Sequence, residues 1–455
     1  MKRYAVVLAA GKGTRMKSAL PKVLHKVLGK SMVSHAVAAL EKIGAEKVVA
    51  VVGYGGDLVK EELSGRAEIA VQAEQLGTGH AVMMTKDLLE GLEGTTIVTY
   101  GDGPLLTAQT IEKLCAYHEQ EDASVTILTA TPEDPTGLGR IIRDADGNVL
   151  RIVEQKDGTP EELAINEINT GVCVFDNKLL FEALAKVDNN NAQGEYYLTD
   201  LAGIIREMGF KVTAYLHEDY EETLGVNDLV QLSHVGKVLR KRLNEQHMRN
   251  GVTFIDADAA YIEPDVEIAA GVTIYPGVLL AGATKIGAGS VIGANTQLTN
   301  TIVGENTHIN ASVVSDSSIG SNTTVGPFAH IRMNAVIGSD VRIGNFVEVK
   351  KSVFADGAKS AHLSYIGDAE LGHNVNMGCG SITVNYDGVR KHKTVIGDNV
   401  MVGCNVNLVA PVTVSANAYL AAGSTITHDV PEDAMAIARC KQSVKEGYGK
   451  TLQKK

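Results

Sequence analysis

The 455-residue chain contains no run of about eighteen apolar residues, the length a helix needs to cross a bilayer, so no membrane insertion is expected. The apolar stretch Tyr4 to Ala10 is too short, and too soon followed by charge, to act as a signal peptide. Cysteine is scarce. Cys115, Cys173, Cys379, Cys404 and Cys440 are odd in number and form no CxxC pair, which argues against a disulfide framework or a zinc site. Positive charge is in deficit as well, with 42 Lys and Arg against 54 Asp and Glu and a net charge of -12. A nonspecific nucleic-acid or membrane binder is thereby excluded, and anionic substrates must meet local basic pockets. These absences together predict a soluble, cytoplasmic protein. The length predicts two or three domains.

What the sequence has in abundance is a period of six. Ile262, Ile268, Ile274, Leu280, Ile286, Ile292 and Leu298 keep strict register. The phase slips and resumes at Val303 and Ile309, then runs through Ile319, Val325, Ile331, Ile337, Ile343 and Val349. It returns at Ile396, Val402, Leu408, Val414, Leu420 and Ile426. A helix wants spacings of three and four, and a half-buried strand strict alternation; steps of six put one inward aliphatic on each flat face of a prism. The pattern resembles the left-handed parallel β-helix of hexapeptide-repeat proteins. One long insertion, between Ile382 and Thr394, interrupts it, and insertions in solenoids tend to be functional loops.

Residues 1 to 227 alternate strand and helix patterns, with strands expected at Tyr4 to Ala9, Val48 to Gly53, Glu68 to Ala73 and Thr96 to Asp102. Helices are expected at His35 to Ile43 and Gly79 to Leu89, and a hairpin at Asp146-Gly147. That order predicts a Rossmann-like α/β domain with ligands at the carboxyl ends of its strands. Residues 228 to 250 read as a linker helix, with Leu229, Leu232, Leu239 and Leu243 on a stripe, Asn227 as N-cap and Gly251 as stop. Residues 251 to 455 form the hexad domain, ending in a basic tail of Arg439, Lys441, Lys445, Lys450, Lys454 and Lys455 against Glu446.

Two constellations carry chemistry. In LAAGKGTRMKSALPK, glycines let backbone N–H groups approach a phosphate that Arg15 and Lys22 can neutralise. The spacing fits neither a P-loop nor GxGxxG. In the hexads, AHIRM, FVEVKKS, SAHLSYIGD and NVNMGCGSITVNYDG are polar clusters only a few coils apart. His362 is the best candidate base, with Glu348 to orient it.

The motif LxxGxGTRM with LPK, followed by QAEQLGTGHA (Gln72 to Ala81), resembles sugar-nucleotide pyrophosphorylases. Joined to the hexads, the whole chain resembles bifunctional N-acetylglucosamine-1-phosphate uridyltransferase/glucosamine-1-phosphate acetyltransferases. The resemblance implies two activities that supply UDP-N-acetylglucosamine for cell-envelope synthesis. Acetyl-CoA would acetylate glucosamine 1-phosphate, and UTP with Mg²⁺ would then convert the product, releasing pyrophosphate. It implies Asp102 and Asn227 as metal ligands, and Leu8, Ala10, Gly11, Gln72, Gly77 and Thr78 around the uridine. Gly137, Glu154, Asn169 and Thr170 would hold the N-acetylglucosamine. Arg332, Lys350 and Lys391 would bind the phosphate of glucosamine 1-phosphate, with Tyr365, Asn376, Asn385 and Tyr386 around the sugar and acyl group. Acetyl-CoA would lie near Cys379, Cys404, Ala422 and Arg439, within a homotrimer formed through the β-helix. Ala19, Leu138, Cys379 and Cys404 depart from the residues common in the family. A nucleophilic cysteine is disfavoured because neither of the last two has an obvious base beside it in sequence. The rival reading, a β-helix that serves only as a scaffold, is opposed by His362, Lys350 and the VNYDG insertion.

Overall fold

A computed structural model describes residues 1–452, which divide into two compact units, Met1–Leu239 and Arg240 onward. In the first unit the central strand Arg3–Ala9 has parallel partners on both sides, Lys47–Val52 and Thr95–Tyr100. The full order is Val212–Leu216, Val125–Ala130, Ile168–Asp176, Thr95–Tyr100, Arg3–Ala9, Lys47–Val52 and Glu68–Val71. Ile168–Asp176 runs antiparallel to both of its neighbours. The central strand is covered on both faces: Val6 and Leu8 pack with Val98 and Ile127, whereas Val7 and Ala9 pack with Val37, Leu40 and Ile97. Covering helices on both sides explain why Tyr4 to Ala10 reads as a continuous apolar run rather than an alternating one. The chain leaves the central strand in opposite directions across the sheet, so a crevice opens at the carboxyl ends of Arg3–Ala9 and Thr95–Tyr100. The glycine-rich loop and Asp102 both emerge there.

The expected strands are present within one or two residues, and the hairpin pairs Gly139–Arg143 with Val149–Val153. The stretch Gly79 to Leu89 forms two short helices, Thr78–Met83 and Lys86–Leu89, rather than one.

The linker helix spans Leu229–Arg249, and the division between units falls within it instead of at either end. Its cap is Asp228, whose Oδ1 accepts from the N–H groups of Val230 and Gln231 at 2.9 and 2.8 Å. Asn227 is therefore not the cap, and its side chain is committed elsewhere. Leu229 is exposed, and the buried stripe uses Val235 and Val238 with Leu232 and Leu239 half-buried beside them. Gly251 ends the helix with φ 91°, a left-handed geometry that costs glycine nothing.

The second unit is a ladder of 26 short strands, each paired in parallel with its counterpart one coil on. Ile262 stands over Leu280 and Leu280 over Leu298, so three hexads make one coil and the cross-section has three faces. Every hexad aliphatic named above is buried except Ile268, which is half-buried. Truncating one such side chain to alanine in this continuous core costs about 2–5 kcal/mol. Where the phase slips, coils shorten, and the ladder register is kept, as in Ile292 over Ile309. The insertion lengthens one coil: paired turn asparagines are 25 residues apart across it and 18 apart in the next coil. Among the described residues no helix is long and apolar enough to cross a membrane. The described part of the tail is exposed; Lys454 and Lys455 lie outside the described residues.

Candidate active sites

In the first unit, the Lys22 ammonium is shared by two oxygens far away in sequence. Its Nζ donates to Asp102 Oδ2 and, at 3.1 Å, to Asn227 Oδ1. Arg15 donates to the same Asn227 oxygen at 2.9 Å. Gly13 makes this approach possible: it has φ 59°, and a Cβ there would lie 2.5 Å from Lys22 Cβ. A carboxylate and an amide oxygen converging on one cation are the donors a hard divalent ion prefers. The residues thus fit Mg²⁺. Among the described residues no group of three His, Cys, Asp or Glu gathers to hold a metal, so phosphate oxygens and water would complete the shell.

Beside this cluster a cavity of about 370 Å³ is lined by Asp102, Asn227, Gly137, Glu154, Asn169 and Thr170. All four residues expected at the sugar are there. Tyr100 forms the wall, lying so close to Gly171 that a Cβ on the glycine would come within 2.1 Å of the ring. Gly171 N–H is held by Asn169 Oδ1 at 2.9 Å, and Thr170 donates to Leu128 O at 2.7 Å. Burial raises the Glu154 carboxyl above the usual range, opposed by a 3.1 Å hydrogen bond from the Thr199 hydroxyl. Burial and the carboxylates of Asp188, Glu154 and Asp157 push Asp200 up to about 6.

Leu8 and Ala10 are buried beneath the loop, and Gly11 is exposed, with open space around it. Gln72 is only 3 % exposed. Its amide nitrogen donates to Gly77 O at 3.0 Å and meets His80 Nδ1 at 3.1 Å, so Gln72 braces the Gly77 turn. Thr78 accepts from Leu198 N–H at 3.1 Å. Gly77 has φ 111°, and a Cβ there would strike Tyr196 O at 2.5 Å.

Arg140 was not foreseen from the sequence. It is 2 % exposed, donates to Leu138 O and, at 3.1 Å, to Gln155 Oε1, which in turn accepts from Gly137 N–H at 2.9 Å. An arginine in a strand gives no signal of burial until its partners are known.

In the β-helix, Asp368 gathers Lys350 and Asn385, two of the residues expected at the glucosamine 1-phosphate and acyl group, together with Lys351. It accepts from Asn385 Nδ2 at 2.6 Å and lies 3.9 Å from the ammonium groups of both Lys350 and Lys351. Asn385 also reaches the Tyr365 hydroxyl at 3.3 Å. Gly367 leaves the room for this, since a Cβ there would lie 2.4 Å from that hydroxyl. The insertion is a hairpin in which Tyr386 pairs with Lys391, whose ammonium sits 4.5 Å from the Tyr386 ring centroid.

The expected partnership of His362 with Glu348 is not formed. Glu348 Oε1 is taken by Arg332, at 3.0 Å from Nε and 2.6 Å from a terminal nitrogen, although its ladder partners are His330 and Tyr365 and Arg332 stands opposite Lys350. His362 instead pairs in register with Asn345 and meets its Oδ1 through Nδ1 at 3.1 Å. With the amide oxygen as acceptor, the tautomer that fits this contact is the one protonated at Nδ1, which leaves Nε2 as the acceptor. Asn345 precedes His362 by 17 residues, the length of one coil at this point of the ladder.

Cys379, Cys404 and Ala422 form a column at one corner, linked by Asn405 N–H to Cys379 O at 2.7 Å and Gly423 N–H to Cys404 O at 2.8 Å. Arg439 follows, its Cδ 4.0 Å from where a Gly423 Cβ would stand. Asn376 is not brought to Lys350 and Tyr365. It pairs with Lys359 and Met401 on another face of the coil.

Known proteins match the same division. The MobA-like NTP transferase domain family matches residues 5–196, the GMPPB C-terminal domain family residues 256–354, and the bacterial transferase hexapeptide (six repeats) family residues 393–428. The bifunctional protein GlmU of an Exiguobacterium species is 57 % identical over 99 % of this chain and 100 % of its own. That of Geobacillus thermodenitrificans is 54 % identical over 100 % and 99 %, and that of a Listeria monocytogenes strain 53 % identical over 99 % of each. With that identity end to end and an α/β nucleotidyltransferase unit followed by a hexapeptide β-helix, the chain belongs to the GlmU family of bifunctional uridyltransferase/acetyltransferase enzymes.

Proposed function

We propose that each unit carries one of two consecutive reactions. In the β-helix the amine of glucosamine 1-phosphate attacks the thioester carbonyl of acetyl-CoA. A C–N bond forms, the C–S bond breaks, and His362 Nε2 takes the ammonium proton. Lys350, Arg332 and Lys391 neutralise the sugar phosphate, and Tyr365, Asn385 and Tyr386 surround the sugar and acyl group. The column of Cys379, Cys404 and Ala422 carries the coenzyme, with Arg439 toward its phosphates.

In the first unit the phosphate oxygen of N-acetylglucosamine 1-phosphate attacks the α-phosphorus of UTP and pyrophosphate leaves. Such a step needs charge neutralisation and alignment more than a base. Arg15 and Lys22 supply the charge, and Gly137, Glu154, Asn169 and Thr170 hold the sugar in the cavity beside them. Asp102 and Asn227 would hold Mg²⁺, whose charge would offset that of the triphosphate.

A homotrimer fits two features of the β-helix. Phe328, Phe346 and Leu363 are 57–60 % exposed along one corner, the two rings stacked at 5.5 Å. Asn376 lies on a different face from Lys350, as expected if a neighbouring copy completes the site. Five free cysteines suit a reducing compartment, and we assign the protein to the cytoplasm.

The observation that carries this reading is the convergence, in each unit separately, of a matched set: Lys22 on Asp102 and Asn227, and Asn345 on His362. Incubation with glucosamine 1-phosphate, acetyl-CoA, UTP and Mg²⁺ is expected to yield UDP-N-acetylglucosamine by mass spectrometry. UDP-glucosamine alone would reduce the β-helix to a scaffold.

A further inference from the structure

The two exposed thiols of the β-helix occupy the same turn position on adjacent coils. Met377 pairs with Val402, which puts Gly378 beside Gly403 and Cys379 beside Cys404. Side chains at such paired turn positions meet. On the same two coils, His373 and Asp398 approach to 3.3 Å, and the left-handed Asn374 and Asn399 that follow them also lie 3.3 Å apart. Cys379 and Cys404 precede the left-handed Gly380 and Asn405 in the same way. Rungs of a parallel ladder are about 4.8 Å apart, inside the roughly 4.4–6.8 Å between Cα atoms that a disulfide accepts.

We propose that Cys379 and Cys404 form a redox-reactive dithiol that closes to a disulfide across two coils when a hydroperoxide oxidises the protein. One thiolate attacks the peroxide, the O–O bond breaks, and an alcohol or water leaves a sulfenic acid behind. The second thiolate attacks that sulfur, the S–S bond forms, and water departs. Two thiols lose two electrons, and one peroxide is reduced. Cys115 and Cys173 do not compete, because they are buried and burial pushes their thiols up to about 11 and about 12. Cys440 is exposed and is the remaining rival.

The bridge would stiffen the corner directly beyond His362, since Gly380 N–H is bonded to Leu363 O at 2.9 Å. Its expected consequence, loss of acetyl transfer with uridylyl transfer untouched, rests on the acetyl-CoA assignment above. The bridge itself does not.

The test uses the full-length chain, reduced, desalted, exposed to hydrogen peroxide, alkylated and digested for mass spectrometry. A peptide linking Cys379 to Cys404 is expected, together with a loss of acetyl transfer that dithiothreitol restores. Cys404→Ser and Cys379→Ala, whatever their starting rates, lose peroxide sensitivity, and Cys440→Ser keeps it. Recovery of both thiols as alkylated or sulfinic forms, or a bridge that joins Cys440, would overturn the proposal. A Cys379–Cys404 bridge with unchanged acetyl transfer would uphold the dithiol and remove the acetyl-CoA assignment.

Discussion

His362 Nδ1 meets Asn345 Oδ1 on the adjacent coil at 3.1 Å, a contact that leaves Nε2 for a substrate. Replacing His362 by alanine is expected to lower CoA release about 10²–10⁴-fold while pyrophosphate release stays near normal. Asn345→Asp puts a carboxylate against the ring and favours imidazolium, so the acid limb of the kcat/KM profile for acetyl transfer moves up by about one pH unit. An unmoved limb would show that Asn345 does not set the state of the base.

The Lys22 ammonium lies against Asp102 and Asn227, the two oxygens proposed to hold Mg²⁺. On that proposal the cation and the ammonium compete for one position. Lys22→Ala should bind Mg²⁺ more tightly by calorimetry yet transfer uridylyl more slowly. Asp102→Asn should lose Mg²⁺-dependent uridylyl transfer and spare acetylation. Equal Mg²⁺ affinity in wild type and Lys22→Ala would sink the idea of a shared position.

Asp200 has its carboxyl raised from 3.8 to about 6, chiefly by burial. A folded-state value above the unfolded one means that the ionised form is disfavoured in the fold. The destabilisation is full above about 6, shrinks as pH falls from 6 toward 3.8, and vanishes below that range. Asp200→Asn should then raise Tm by roughly 2–4 °C at pH 8 and leave it unchanged near pH 3.5, if the fold persists there. A Tm difference that does not depend on pH would point to a packing effect instead.

Phe328 and Phe346 stack in the open at one corner. On the proposed trimer, Phe346→Asp is expected to leave uridylyl transfer intact and to give species smaller than the wild type in analytical ultracentrifugation, with acetyl transfer falling in step. A trimer of normal mass would move the interface elsewhere.

Much of this was legible in the sequence because both units repeat a simple rule. Steps of six specify a coil of short strands, and the buried ladder from Ile262 to Ile426 follows them. The LAAGKGTRM loop marks where a charged cluster gathers, and Arg15 and Lys22 do meet Asn227, with Lys22 also against Asp102. The linker was misread in detail because two adjacent polar residues, Asn227 and Asp228, are equally good caps, and only one was free to be it. Glu348 and Asn345 were both within reach of His362 by sequence, and hexad spacing alone did not say which would share its rung.

The sequence by itself determined the two architectures and the residue types at each site, since periodicity and glycine placement act locally along the chain. Tertiary structure alone decided who partners whom. Ladder register sets Asn345 on His362, a diagonal reach between neighbouring coils gives Arg332 to Glu348, and sheet order draws Lys22 to oxygens 80 and 205 residues away. Those choices depend on which backbones lie side by side, because a hydrogen bond is selected by distance in space and carries no trace in the spacing of either residue alone.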